Sequence, residues 1–231
     1  MRSLKTKMNG TNKHRRAFIF TGGKGFTPEK MTLIPQGDDL IIAADSGCTS
    51  LMEFCNKVKK ISPHIVLGDM DSFDKKTSLE SFPDAEFLSF PPEKDDTDTA
   101  LAVDTALERG CNSIVMVCGL GGRLDHTMAI VYLLEYIRSC GADAVVTDGK
   151  NMAYLASHSN TVKCGGRKYI SLIPLDSKIY GVRMEGGFYY PLDVPYLERC
   201  RFLSISNELR GNTDGIITVE KGSALIVETG D

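Results

Sequence analysis

Asp69 and Asp71 stand one residue apart in Gly68-Asp69-Met70-Asp71-Ser72, directly after the apolar run Ile65-Val66-Leu67. Two carboxylates so spaced at a strand end converge on one cation when the backbone turns there. Mg²⁺ takes hard oxygen ligands, one or two carboxylates together with water and phosphate. The same pair also reads as an ordinary acidic turn. A second acidic group, Asp95, Asp96 and Asp98, sits in Glu93-Lys94-Asp95-Asp96-Thr97-Asp98, just ahead of a helical pattern. Helix capping accounts for any one of these aspartates. Three so close repel one another unless a metal ion or a metal-bound nucleotide lies among them.

Two further segments could bear chemistry. Asp45-Ser46-Gly47 follows the apolar run Leu40–Ala44. Gly119-Leu120-Gly121-Gly122-Arg123-Leu124-Asp125-His126 follows a strand-like run and opens a helical one. Leu124 occupies the place of a third glycine, which excludes a dinucleotide fingerprint. Gly121 and Gly122 still let backbone N–H groups approach an anion, and Arg123 offers a fork of donors suited to phosphate. A glycine turn with a surface arginine is the plainer alternative. The chain has no GxxxxGK[ST] loop. His126 reads as a packing or capping residue before a base, and His14, His64 and His158 carry no constellation. No Ser-His-Asp or Cys-His arrangement is legible.

These segments need strand ends to hold them. Ala17–Phe20, Leu40–Ala44, His64–Leu67, Ile114–Cys118 and Ala144–Thr147 read as buried strands. Ala100, Val103 and Leu107 recur at helical spacing, as do Ile130, Leu134 and Ile137. This alternation predicts an α/β fold: a mostly parallel, Rossmann-like sheet with flanking helices, and a ligand site beyond the carboxyl ends of the strands. After residue 150 the helical signal fades. Thr161–Lys163, Tyr169–Pro174, Gly181–Met184, Phe202–Ser206, Gly215–Val219 and Ala224–Glu228 read as short strands, with glycine turns between them. They predict a small C-terminal β-sandwich, too thin in core to stand without a neighbour. The expected division is a basic tail over 1–15, an α/β domain over 16–150 and a sandwich over 151–231.

Composition agrees with an ordinary globular chain. Of its 231 residues, 42% are hydrophobic and 25% charged, with a net charge of -3, which argues against a dedicated nucleic-acid binder. No apolar run approaches a membrane span. The basic start, with Lys5, Lys7, Lys13, Arg15 and Arg16, lacks the apolar stretch of a signal peptide. The seven cysteines form no CxxC pair and are expected as reduced core thiols in a cytoplasmic protein.

In this order, the four segments resemble the thiamin pyrophosphokinase family, whose pattern runs DxG, GDxDS, DxTD and GGRxDH. The tail adds Gly187-Phe188-Tyr189-Tyr190-Pro191-Leu192 and Ser204-Ile205-Ser206-Asn207-Glu208, similar to the family's GxxYPL and SxSNE segments. The resemblance implies transfer of a pyrophosphoryl group from ATP to the thiamin hydroxyl, giving thiamin diphosphate and AMP. It also implies a Mg²⁺ requirement and a homodimer with thiamin held between the α/β domain of one subunit and the sandwich of the other. Carried over by position, Asp69, Asp71 and Asp98 match metal and catalytic carboxylates, and Asp45 another acid of the pocket. Asp95 and Thr97 flank them, while Asp96 falls at a variable position. Gly121, Gly122 and Arg123 match the nucleotide-phosphate turn, Asp125 the acid beside it, and Ser206 and Asn207 the thiamin loop. The chain departs from the pattern at Cys48, Thr49 and Ile130, and it has no Trp. A magnesium phosphatase with Asp69 as nucleophile, or a thiamin or nucleotide sensor, are the readings that compete.

Overall fold

In a computed structural model, residues 15–68, 81–90 and 96–230 are described. Among the described residues, thirteen strands and three α-helices alternate at first and then give way to strands alone. The strands are β1 (Arg15–Phe20), β2 (Leu40–Ala44), β3 (Ile65–Gly68), β4 (Glu86–Ser89), β5 (Cys111–Val117), β6 (Asp143–Thr147) and β7 (Asn151–Leu155). There follow β8 (Ser159–Val162), β9 (Tyr169–Pro174), β10 (Lys178–Gly186), β11 (Leu192–Glu198), β12 (Gly215–Lys221) and β13 (Ala224–Thr229). The helices are α1 (Gly47–Lys57), α2 (Asp98–Glu108) and α3 (Leu124–Ser139).

Nine strands form one sheet in the order β4-β3-β2-β1-β5-β6-β7-β13-β9. Pairing is parallel from β4 through β6 and antiparallel from β6 through β9. Strands β2 and β3 are buried along their whole length, as expected where both faces are covered. Alternation along β1 shows how. Ala17 and Ile19 face α2 and α3, packing with Ala102, Val103, Leu134 and Ile137. Phe18 and Phe20 face the other way, onto Leu51 and Phe54 of α1. The two helices expected from spacing are present as α2 and α3. Helix α1, buried through Cys48, Leu51 and Phe54, was not read in the sequence.

Four strands make a second, antiparallel sheet in the order β11-β10-β12-β8. Ile179, Val182, Met184, Leu197 and Ile217 from this sheet meet Ile170, Leu172 and Ile226 of β9 and β13. The second layer therefore packs on the end of the first sheet. The sheet does not break near residue 150, because Thr147 of β6 pairs with Met152 of β7.

Three local expectations are corrected. Phe202–Ser206 is a turn, with Phe202 77% exposed, tied to β9 by Leu172 N–H to Ser204 O at 2.9 Å and followed by a bridge between Asn207 and Ile170. Arg15, expected in the tail, begins β1 and is followed there by Arg16. The Arg16 guanidinium grips Asp39 with two donors, at 3.1 and 2.7 Å. Of the cysteines, only Cys48, Cys111 and Cys118 are buried, while Cys140 and Cys200 are exposed. All seven are free thiols.

Candidate active site

Strand order reverses around β1. The chain moves outward through β2, β3 and β4, then returns to the other side of β1 as β5. Such a switch point is where ligands bind, beyond the carboxyl edge of the sheet. A cleft of about 360 Å³ lies there, lined by Gly22, Gly23 and Lys24 after β1, Ser46, Thr49 and Glu53 at α1, and Gly121, Gly122, Arg123 and His126 after β5.

The cleft has a stitched floor. Thr21 donates its N–H and its hydroxyl to Val117 O, at 2.9 and 3.0 Å. Ser50 Oγ donates to Thr21 O at 2.9 Å, tying α1 to the end of β1. Cys118, with φ of 66°, turns the chain left-handed after β5 and sends its Sγ to Gly23 O at 3.3 Å. A Cβ on Gly23 would lie 2.0 Å from Cys118 O, so only glycine lets the two loops touch. Burial pushes the Cys118 thiol up, and it raises Cys48, beside the Asp45 charge, to about 11. Neither is a ready nucleophile.

The phosphate-type turn is formed as its glycines suggest. Gly121 and Gly122 take φ of 96° and 83°. Arg123 precedes the first turn of α3, and its Nε and Nη2 reach the two Asp125 oxygens at 3.1 and 2.5 Å. Asp125 also accepts the His126 N–H at 3.0 Å, as an acid in a first helical turn does. The Arg123 guanidinium, followed by this backbone bond, holds the Asp125 carboxyl down at about 2. Both side chains are largely exposed, at 70% and 64%, so the fork is open to exchange with another anion.

The acidic side begins with Asp45. It follows β2 directly, takes φ of 49° and donates its N–H to Leu67 O at 2.7 Å. Its Oδ1 is buried and meets no proton donor among the described residues. Gly68 ends β3 close by, its Cβ position 3.3 Å from Asp45 Cα. Asp69, Asp71 and Asp95 lie outside the described residues. Thr97 is the N-cap of α2, its hydroxyl accepting from Ala100 N at 3.2 Å, and Asp98 opens that helix. Capping thus accounts for Thr97. Among the described residues no three His, Cys, Asp or Glu side chains cluster as a metal site.

Ser206 and Asn207 lie elsewhere on the same edge, beside the start of β9. Four strand spacings separate β5 from β9, roughly 19 Å. Ser206 takes φ of 56° and donates its N–H to Ser171 Oγ. Asn207 is 4% exposed, and its side chain is fully engaged. Oδ1 accepts from Tyr190 N and Glu208 N, and Nδ2 donates to Tyr190 O at 2.7 Å. These three bonds clamp the loop carrying Tyr189 and Tyr190.

One functional segment was not read in the sequence: Gly22-Gly23-Lys24 on the β1 lip. Its signal was visible as Thr21-Gly22-Gly23-Lys24-Gly25, a glycine-rich run directly after the first strand.

A glycine-lined, arginine-bearing cleft at the switch point of a parallel sheet, with a buried carboxylate oxygen beside it, defines an α/β enzyme that handles phosphate groups. Comparison with known proteins narrows this class. Residues 32–146 match the catalytic domain of thiamin pyrophosphokinase, and residues 157–224 match its vitamin B1 binding domain. The chain is 29% identical over 218 residues to the thiamine pyrophosphokinase of Bacillus subtilis, covering 92% of this chain and 98% of that one. The crystal structure of thiamine pyrophosphokinase from Bacillus subtilis superposes with a TM-score of 0.81 at 26% identity, covering 94% of this chain and 99% of that one. Thiamin pyrophosphokinase from Candida albicans shares the fold, with a TM-score of 0.69 at 16% identity over 94% of this chain and 90% of that one. The chain belongs to the thiamin pyrophosphokinase family.

Proposed function

We infer that the chain transfers the pyrophosphoryl group of ATP to the hydroxyl of thiamin, giving thiamin diphosphate and AMP. The observation that carries this reading is the meeting of two glycine loops at the β1/β5 crevice, with Arg123 on one lip and the orphaned Asp45 oxygen beside it. The Rossmann-like unit over 16–150 is proposed as the catalytic part and the sandwich over 151–231 as the thiamin-binding part.

In the proposed reaction the thiamin hydroxyl oxygen bonds to the β-phosphorus, and the bond from that phosphorus to the oxygen bridging it to the α-phosphate breaks. AMP leaves with the electron pair. Gly121, Gly122 and Arg123 hold the nucleotide phosphates, Arg123 exchanging Asp125 for phosphate oxygens. Asp71 or Asp98 accepts the hydroxyl proton. Asp95 and Thr97 are proposed to take part in binding the nucleotide, Thr97 from the N-cap of α2. An unpartnered, buried Asp45 oxygen fits a cation at this edge, and Asp69, Asp71 and Asp98 would hold Mg²⁺. When bound, the ion supplies charge neutralisation along the phosphate chain.

Thiamin is proposed to lie between subunits of a homodimer, in a cytoplasmic enzyme. Two features support the dimer. The Ser206–Asn207 segment lies four strands away from the cleft of its own chain. Helix α3 also exposes Leu124, Met128, Tyr132 and Tyr136 at four-residue spacing, an apolar stripe that begins beside Arg123. The dimer is tested by light scattering, with Tyr132→Glu expected to yield a monomer and to lower thiamin turnover. Among the described residues no helix is long and apolar enough to cross a membrane.

Product analysis tests the reaction. Purified protein with thiamin, ATP and Mg²⁺ should release thiamin diphosphate and AMP in equal amounts, and a chelator should abolish both. Inorganic phosphate released without any ATP requirement would overturn the reading.

A further inference from the structure

We propose that Lys24 is a ligand for the phosphate chain of the nucleotide, reaching the cleft from the loop that rests on the glycine turn of Arg123. The inference rests on the reading above and adds a residue to it.

The position of Lys24 is set by backbone. Its loop is pinned on the β5 side through Cys118 Sγ to Gly23 O, and further along through Thr27 N to Asp148 O at 2.8 Å. A Cβ on Gly121 would come within 2.6 Å of Lys24 O, so the loop rests directly on the glycine turn. The Lys24 side chain starts along that turn, its Cγ 3.8 Å from the Cβ position of Gly122. The stem therefore runs beside the backbone that carries Arg123, and the residue is exposed at the cleft.

Charge supports the assignment. Lys24 pairs with no carboxylate among the described residues, whereas Arg123 is already shared with Asp125. Glu53, the acid lining the cleft, is engaged by Lys57 at 2.9 Å. A nucleoside triphosphate carries more negative charge than one half-neutralised arginine can match. A flexible ammonium lining the same cleft supplies a second cation, binding as a point charge where Arg123 binds as a fork. Ser46 and Thr49 line the cleft as well and carry hydroxyls.

Lys24→Met and Lys24→Arg test the proposal. Steady-state kinetics should show the KM for ATP rising about tenfold in Lys24→Met, with the KM for thiamin and the melting temperature unchanged. Lys24→Arg should keep the ATP KM within about threefold of the parent, since the charge is retained. Calorimetric titration with a non-hydrolysable ATP analogue and Mg²⁺ gives a second readout, independent of turnover, and should show the same loss in Lys24→Met. An unchanged affinity for the analogue, or an equal rise in both KM values, would overturn the role of Lys24. Failure of the parent protein to make thiamin diphosphate would instead remove the reaction, while the titration still reported on Lys24.

Discussion

Replacing Asn207 by Ala separates a loop clamp from a ligand contact. In the structure this amide makes three hydrogen bonds, with Tyr190 N, Tyr190 O and Glu208 N, inside a site where the residue is 4% exposed. Each bond lost from buried partners costs about 1 kcal/mol or more, so the variant should lose about 3 kcal/mol. For a chain of 231 residues, that loss corresponds to a melting temperature lower by roughly 6–12 °C. Differential scanning calorimetry without thiamin reads the effect directly. Asn207→Asp refines the test. It keeps an acceptor for the two N–H groups but sets an oxygen against Tyr190 O, so it is destabilised at neutral pH. A protonated Asp donates to that carbonyl, so acidification should restore part of its stability and none in Asn207→Ala. An Ala variant that melts like the parent and differs only in thiamin affinity would refute the clamp.

Three further outcomes follow from the geometry. Gly23→Ala would set a Cβ 2.0 Å from Cys118 O, a backbone atom that cannot yield. The β1 lip must shift, and kcat/KM for ATP should fall at least about tenfold. Asp125 is held at about 2 by Arg123. A carboxyl depressed in the folded state stabilises it above the unfolded value, and the contribution is lost as pH falls through about 2. An NMR titration should therefore show no Asp125 transition between pH 4 and 9, and Arg123→Gln should return its midpoint toward about 4. Arg16→Met removes both donors from Asp39, which is 5% exposed and also accepts the Gln36 N–H at 2.7 Å. The chain should lose about 2 kcal/mol in urea denaturation, with ATP and thiamin KM values unchanged.

Much of the catalytic edge was legible in the residues. Runs such as Leu40–Ala44 and His64–Leu67 read as strands because a parallel sheet covered on both faces needs uninterrupted apolar side chains. The polar residues that follow such runs fall at one carboxyl edge because the strands run parallel. Asp45, Gly121, Gly122 and Arg123 were found that way. Helix α2, and helix α3 with Ile130, Leu134 and Ile137 inward, followed from helical spacing, whereas capping was expected of the aspartates and falls to Thr97.

Other features depended on contacts between distant parts of the chain. Phe202–Ser206 alternates like a strand, yet it turns beside β9, held there by Leu172 N–H to Ser204 O and by the Asn207–Ile170 bridge without forming a ladder. Asn207 resembles a ligand residue by motif. Its amide is consumed by Tyr190 and Glu208, which only the folded chain brings to it. The pairing of β7, β13 and β9 onto β6 joins segments up to about eighty residues apart, and no local pattern encodes which strands become neighbours. The contact of the Lys24 loop with the Gly121 turn has the same origin. Residue type and local spacing determined the strands, most helices and the motif chemistry of this protein. Tertiary packing alone decided which loops share a cleft, because the contacts that set them together are made between elements far apart in the chain.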